Sequence, residues 1–375
     1  MPRLLSTVAC NLDPHLLGAC LPLFESGEAD AIEWSFDALY RLDALPEWFH
    51  GLIDAFSDGN RLVGHGIFFS LFAGKWHPEQ EAWLRELSMI CKKFRFDHIT
   101  EHFGFMTGQD FHHGAPLNVP YTDAALRIGQ DRLGRIADAC GRPVGLENLA
   151  FSWSVDEVRR HGDFLDRLLA PVNGFIILDL HNLYCQVVNF DIPFETLAAL
   201  YPLHRVREIH ISGGSWEPSE DPSRSIRRDT HDDSVPEEVF RYLEAIIPRC
   251  PHLRYLVMEQ LGAGLETEDS KTAFRADFRR MADIARQWNV MQGDEILHPF
   301  TPPFNPPKGA PAEDLALHQQ QAELSSILEN ADTFEAANRA LQASSLAQSH
   351  WQVERWSPFM LETAMRIAQK WKKKD

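Results

Sequence analysis

The chain has 375 residues, 44% of them hydrophobic, and carries 36 basic against 54 acidic residues for a formal charge of -18. That length allows one large core of barrel size plus an extra segment, and that charge disfavours nucleic acid or other polyphosphate partners. The opening stretch, MPRLLSTVACNLDPH, lacks the apolar run of a signal peptide, and no run reaches membrane-spanning length, so a cytoplasmic protein without membrane partners is expected.

Eight β-rich apolar stretches recur along the chain. The expected strands are Leu4 to Cys10, Ala31 to Phe36, Arg61 to Gly66, His98 to Phe103, Pro143 to Asn148, Phe175 to Leu180, Val206 to Ser212 and Tyr255 to Gln260. Helix-period apolar spacing lies between them, as in Leu126 through Ala139. Alternating strands and helices argue for parallel βαβ units, and eight of them for a closed α/β (β/α)8 TIM barrel. A doubly wound open sheet is the alternative, but no GxGxxG or GxxxxGK[ST] motif follows any strand.

The barrel is expected to occupy residues 1–292. Six prolines between Ile296 and Ala312 forbid a helix, so residues 293–312 read as a Pro-rich extended linker. Residues 313–375 read as a helical C-terminal extension ending in Lys370-Trp371-Lys372-Lys373-Lys374. This extension either packs on the barrel wall or offers Trp351, Trp356 and Phe359 as aromatic anchors to a partner. The six cysteines form no CxxC pair, so ordinary thiols are expected rather than disulfides or a zinc finger. Cys185 follows a candidate ligand segment closely enough to approach its pocket.

Most of the strand stretches end in a group that can bind a metal. His65, His102, His210 and His231 supply imidazoles; Glu147, Asp179, Asp229 and Glu259 supply carboxylates; Asn182 adds an amide oxygen. A TIM barrel gathers its strand C-termini on one face, so residues spread from 65 to 259 would converge there. Each group alone has a structural explanation, such as a hydrogen-bonded core histidine or a turn at Asp229-Thr230-His231. Seven such explanations would have to hold at once on the same face. Nine donors exceed the needs of one ion, and carboxylates bridging two or three ions relieve the repulsion among four carboxylates. A ligand set of nitrogen and oxygen, with no thiolate, suits zinc, iron or manganese. His98, at the start of its strand, should lie on the opposite barrel face, and His112-His113 reads as a solvated loop.

The stretches HGIFFS, ITEHFGF, GLENLAF, LDLHNLY, EIHISGG, DTHDDSV and MEQ resemble, in order, the motifs of the multinuclear non-haem iron-dependent oxidative enzymes. The methanobactin synthase iron subunit is a familiar member. The likeness spans roughly residues 5 to 290. It implies a barrel holding two or three iron ions, with O2 as co-substrate, on His65, His102, Glu147, Asp179, Asn182, His210, Asp229, His231 and Glu259. It further implies hydrogen removal from the cysteine β-carbon of a ribosomally made, cysteine-containing precursor peptide, with a small leader-recognition partner protein. Excision of that carbon, as in 3-thiaglutamate biosynthesis, is one outcome known in the family. Two motifs depart from the family pattern. Asp179-Leu180-His181-Asn182 stands where Asp-x-Asn-Asn is usual, so His181 either adds a donor or faces away. Asp229-Thr230-His231-Asp232-Asp233 stands where Asp-x-His-Asp-His is usual.

The loop between two ligand motifs carries Arg224, Arg227 and Arg228. Of these, Arg227 and Arg228 are candidates for gripping a peptide carboxylate, against simple pairing with nearby acids. The rival readings are a trinuclear-zinc hydrolase of the apurinic endonuclease type, a one-metal sugar isomerase or epimerase, and a non-catalytic scaffold. The first needs Asp-x-x-His where this chain has Asp179 and Asn182, the second needs fewer donors, and the third leaves the complete donor set unexplained.

Overall fold

The computed structural model describes residues 3–38, 45–107, 116–291, 299–301 and 307–372. Eight parallel strands close into one barrel: β1 (Leu5–Cys10), β2 (Ala31–Trp34), β3 (Leu62–Gly66), β4 (Ile99–His102), β5 (Val144–Glu147), β6 (Phe175–Asp179), β7 (Val206–Ile211) and β8 (Tyr255–Met258). Each strand pairs with its sequence neighbours, and β1 closes the ring against β8 in the register Leu5 to Tyr255. Each expected strand coincides with an observed one to within two residues at either end.

The strands read as continuous apolar runs because both faces are covered. Helices wrap the outside, and their starts follow capping chemistry. Asp13 accepts from the amides of His15 and Leu16 at the head of α1 (Pro14–Glu25). Ser154 does the same for Glu157 in the helix Val155–Leu169. The core between strands and helices continues into Leu317, Leu324, Leu328, Leu341 and Ala364 of the C-terminal extension. Inside the ring, side chains of alternate strand residues stack in layers, with Val63, Tyr255 and Val257 among the apolar ones.

After the last barrel helix, Glu268–Met291, the chain crosses from one end of the barrel to the other. Residues 292–298 and 302–306 of the Pro-rich stretch lie outside the described residues. Phe300 is buried against Phe175 at the N-terminal end of β6, with ring centroids 5.6 Å apart. Arg132 then holds the carbonyl of Ala312, and the amide of Asp314 meets the carbonyl of Gly74 beyond the C-terminal end of β3. The helices Leu315–Asn330, Phe334–Gln342 and Pro358–Trp371 follow. Among the described residues, no helix is long and apolar enough to cross a membrane.

Candidate metal centre

The C-terminal ends of the strands bring the donors together. His102 ends β4, Glu147 ends β5 and Asp179 ends β6, while His65 and His210 are each the last residue but one of β3 and β7. Their ligating atoms fall into overlapping sets, each within 4.8 Å: His65, His102 and Glu147; Glu147, Asp179 and His210; Asp179, His231 and Glu259. The shared members are carboxylates, Glu147 and Asp179, which can bridge adjacent ions. Asp229 joins through His231, whose Nε2 lies 2.8 Å from Asp229 Oδ1. The side-chain nitrogen of Asn182 donates to Glu147 at 3.1 Å.

Local backbone chemistry aims these groups. Thr100 donates its hydroxyl to the carbonyl of Gly64 and lies 2.9 Å from Nδ1 of His65, so it accepts from that nitrogen. His102 Nδ1 sits 3.1 Å from the carbonyl of Gly66. Both rings therefore carry the proton on Nδ1 and turn the lone pair of Nε2 inward when neutral. Asp179 is at once the last residue of β6 and the N-cap of the helix Leu180–Phe190, accepting from the amide of Asn182 at 2.5 Å through Oδ1. Its Oδ2 stays free. One residue thus both holds Asn182 and faces the centre. His231 adopts a left-handed backbone, φ 52°, a conformation that non-glycine side chains seldom take and that clusters at functional sites.

The buried atoms that lack a hydrogen-bond partner test whether the site fits metal ions. They include His65 Nε2, Glu147 Oε2, Asp179 Oδ2, Asn182 Oδ1, His210 Nδ1, His231 Nε2 and Glu259 Oε2. Glu147 Oε2 lies 3.3 Å from His65 Nε2 and 3.4 Å from His102 Nε2 without a hydrogen bond to either. Seven buried nitrogen and oxygen atoms that face one another's charges without a hydrogen bond are costly unless a cation satisfies them. The donor set fits. In the metal-free protein protons take over part of that task. Burial alone would lower the pKa of His65, but Glu33 and Glu147 outweigh it and raise it to about 9. His210 and His231 are likewise held well above the ordinary imidazole range by Glu33 and by Asp229, against the opposing effect of burial.

A column of polar groups below the centre is absent from the ligand set read from the sequence. Glu208 Oε1 lies 3.2 Å from His210 Nε2, and Glu33 Oε2 is also 3.2 Å from that nitrogen. The two acids orient His210 so that Nδ1 faces the centre. Burial pushes Glu33 up to about 7, whereas His98 and His210 outweigh burial and hold Glu208 well below the carboxylate range. Glu208 therefore carries the charge. Its other oxygen is 2.6 Å from His98 Nε2, His98 Nδ1 is 3.0 Å from Asp97, and Arg207 donates to Asp97 at 2.6 Å. His98 sits at the N-terminal end of β4, as expected, but its ring is fully buried and linked to the site. The strand period held this signal, because Glu208 and His210 are two apart and share a face.

His181 faces Asp229, with Nδ1 2.9 Å from Oδ1, and its Nε2 accepts from Arg227 Nε at 3.1 Å. It steadies Asp229 rather than joining the sets above. Arg227 and Arg228 both line a cleft of about 390 Å³ that opens onto His102, Glu147, Asn182 and Asp229. Arg227 is buried between Tyr184 and Trp216, Arg228 pairs with Glu217 at 2.6 Å, and Arg224 lies over Phe359. Cys185 is buried in the helix behind Asp179 and is not among the cleft walls; all six cysteines are free thiols. His112 and His113 lie outside the described residues.

The C-terminal extension supplies one cleft wall through Met360, Thr363, Arg366, Ile367, Lys370 and Trp371. The aromatic residues expected as partner anchors are used internally. Trp356 stacks on Trp153 at 3.7 Å, Trp351 packs against Phe105, and Phe359 packs against Phe190.

The family profile described as "RiPP precursor modification enzyme MbnB/TglH/ChrH" matches residues 46–260. The chain belongs to this family. The matched region contains every group of the three donor sets and, of the column beneath them, all but Glu33. A UPF0276 protein of Caulobacter vibrioides is 29% identical over 202 residues, 53% of this chain and 68% of its own length. One from Chromobacterium violaceum is 30% identical over 152 residues, 40% of this chain and 53% of its own length. Among solved structures, a xylose isomerase domain protein from Planctomyces limnophilus aligns with a TM-score of 0.49 at 14% identity, over 76% of this chain and 98% of that one. Membership makes this chain one of a family of ribosomal-peptide-modifying enzymes.

Proposed function

We propose that this MbnB/TglH/ChrH-family member is a multinuclear non-haem iron, O2-dependent oxidase that modifies a cysteine of a ribosomally made precursor peptide. The observation that carries the reading is the row of three donor sets joined by Glu147 and Asp179, opening into a cleft large enough for a peptide side chain. His65, His102, Glu147, Asp179, Asn182, His210, Asp229, His231 and Glu259 would hold two or three ions. Bound iron would supply a position for the cysteine thiolate and the means to activate O2, the oxidant that accepts the electrons and hydrogen taken from the β-carbon.

The protein's own residues prepare that chemistry. Thr100 and the carbonyl of Gly66 fix the tautomers of His65 and His102, and Glu208 fixes His210. Arg227 holds His181 against Asp229, which keeps that carboxylate in place. Leu149, Phe151 and Met360 line the cleft with apolar surface, limiting water around a bound cysteine. The reaction is proposed to occur in the cytoplasm, with a small separate protein recognising the peptide leader.

Metal analysis of anaerobically purified protein, together with mass spectrometry of a co-expressed cysteine-containing precursor, tests this reading. Bound iron and an O2-dependent mass change confined to the cysteine are expected. A zinc-only centre, or a peptide of unchanged mass with iron and O2 present, would overturn it.

A further inference from the structure

The reading of the cleft as a peptide-modifying site leaves open what kind of peptide it accepts. We propose that the C-terminal helix Pro358–Trp371 is a substrate-reading wall that selects peptides with acidic side chains beside the reacting cysteine.

The helix is built into the entrance. Glu362 accepts from the hydroxyl of Ser219 at 3.0 Å and from the amide of Glu220 at 3.1 Å, and Arg366 donates to the carbonyl of Pro218 at 2.6 Å. These bonds latch it to the antiparallel hairpin Trp216–Pro218 and Ser225–Arg227, which lies between His210 and Asp229 in the chain. On one side, Leu361, Ala364, Met365 and Ala368 enter the core. On the other, Met360, Thr363, Ile367 and Trp371 form a stripe along the cleft at helical spacing. Exposure rises along that stripe from 2% at Met360 to 46% at Trp371, so the end of the helix stands at the mouth.

Charge decides the class of occupant. Outside the proposed ligand set, the cleft is lined by four cations, Arg227, Arg228, Arg366 and Lys370, against two carboxylates, Glu217 and Asp232. This occurs on a chain of net charge -18, whose remaining surface repels acidic peptides. Arg228 and Arg366 share Glu217. Among the described residues, Lys370 has no carboxylate partner and lies 5.6 Å from the Trp371 ring at the mouth. A cation over an exposed aromatic ring suits a peptide that offers a carboxylate and an apolar neighbour together. Lys372 to Lys374 continue the basic run in sequence.

The test is fluorescence anisotropy with full-length, metal-loaded protein and labelled cysteine peptides flanked by either glutamates or lysines, both amidated at the C-terminus. The glutamate peptide is expected to bind at least about tenfold tighter at low salt, and the preference to shrink as salt rises. Lys370→Glu should weaken the glutamate peptide about fivefold or more while leaving metal content unchanged, and Lys370→Met should fall between. Equal affinity for both peptides, or a preference that survives Lys370→Glu intact, would overturn the proposal. So would a preference that appears only with a free C-terminal carboxylate. Binding is read without turnover, so a peptide that binds selectively but stays unmodified would count against the oxidase reading alone.

Discussion

Glu208 bridges two histidines in the barrel interior, 3.2 Å from His210 Nε2 through one oxygen and 2.6 Å from His98 Nε2 through the other. It carries the negative charge at the base of the centre and sets which nitrogen of His210 looks upward. Glu208→Gln keeps the size of the side chain but loses that charge. Metal affinity should fall about 10–100-fold, as for other groups that orient a ligand. Chelator competition measures it, and an unchanged affinity would show that His210 does not depend on Glu208.

His231 provides a different test, because its backbone is left-handed and asparagine tolerates that conformation. His231→Asn should preserve the loop and remove the imidazole between Asp229 and Glu259. Bound metal and turnover are expected to drop further than in Glu208→Gln. Full metal content in this variant would remove His231 from the ligand set.

In the proposed centre protons and metal would compete for the same atoms, which sets a pH dependence. In metal-free protein, His65 has its pKa raised from 6.5 to about 9, so its protonated form contributes stability that is complete below about pH 6.5 and lost as pH rises through 9. Glu33, raised from 4.5 to about 7, adds a loss between those values. The melting temperature of the metal-free protein should therefore fall as pH rises from 6.5 to 9. Metal affinity should rise over the same window, because binding requires neutral imidazoles and releases protons. Calorimetry in buffers of different ionisation enthalpy would detect that release.

The stacked pair Trp153 and Trp356 ties the extension to the loop after Glu147, reinforced by the amide of Ser357 donating to the carbonyl of Trp153 at 2.8 Å. Trp356→Ala should destabilise the protein by about 3–5 kcal/mol, the usual cost of emptying a buried aromatic site. Denaturant titration would show it. A change well under 1 kcal/mol would mean that the extension docks without this contact.

The barrel was legible in the sequence because parallel strands covered on both faces must be apolar throughout, and runs such as FIILD have few other uses. The donors were legible because strand ends in such a barrel share one face. Glu33 escaped notice because it lies within its expected strand and not at the C-terminal end where donors were sought, although Glu208 could have been read from its spacing to His210. The fate of Arg227 was not legible, since sequence proximity cannot show that its Nε is taken by His181. Nor could helical periodicity show what the last helix faces, because a core and a cleft wall both call for apolar stripes.

The final crossing of the chain, from Phe300 beneath the barrel to Trp371 beside its opening, also orders events during synthesis. Domains form largely from the N-terminus as the chain emerges. The cup of donor side chains can thus be complete while its entrance is still wide, and the helix that walls the cleft is added only afterwards.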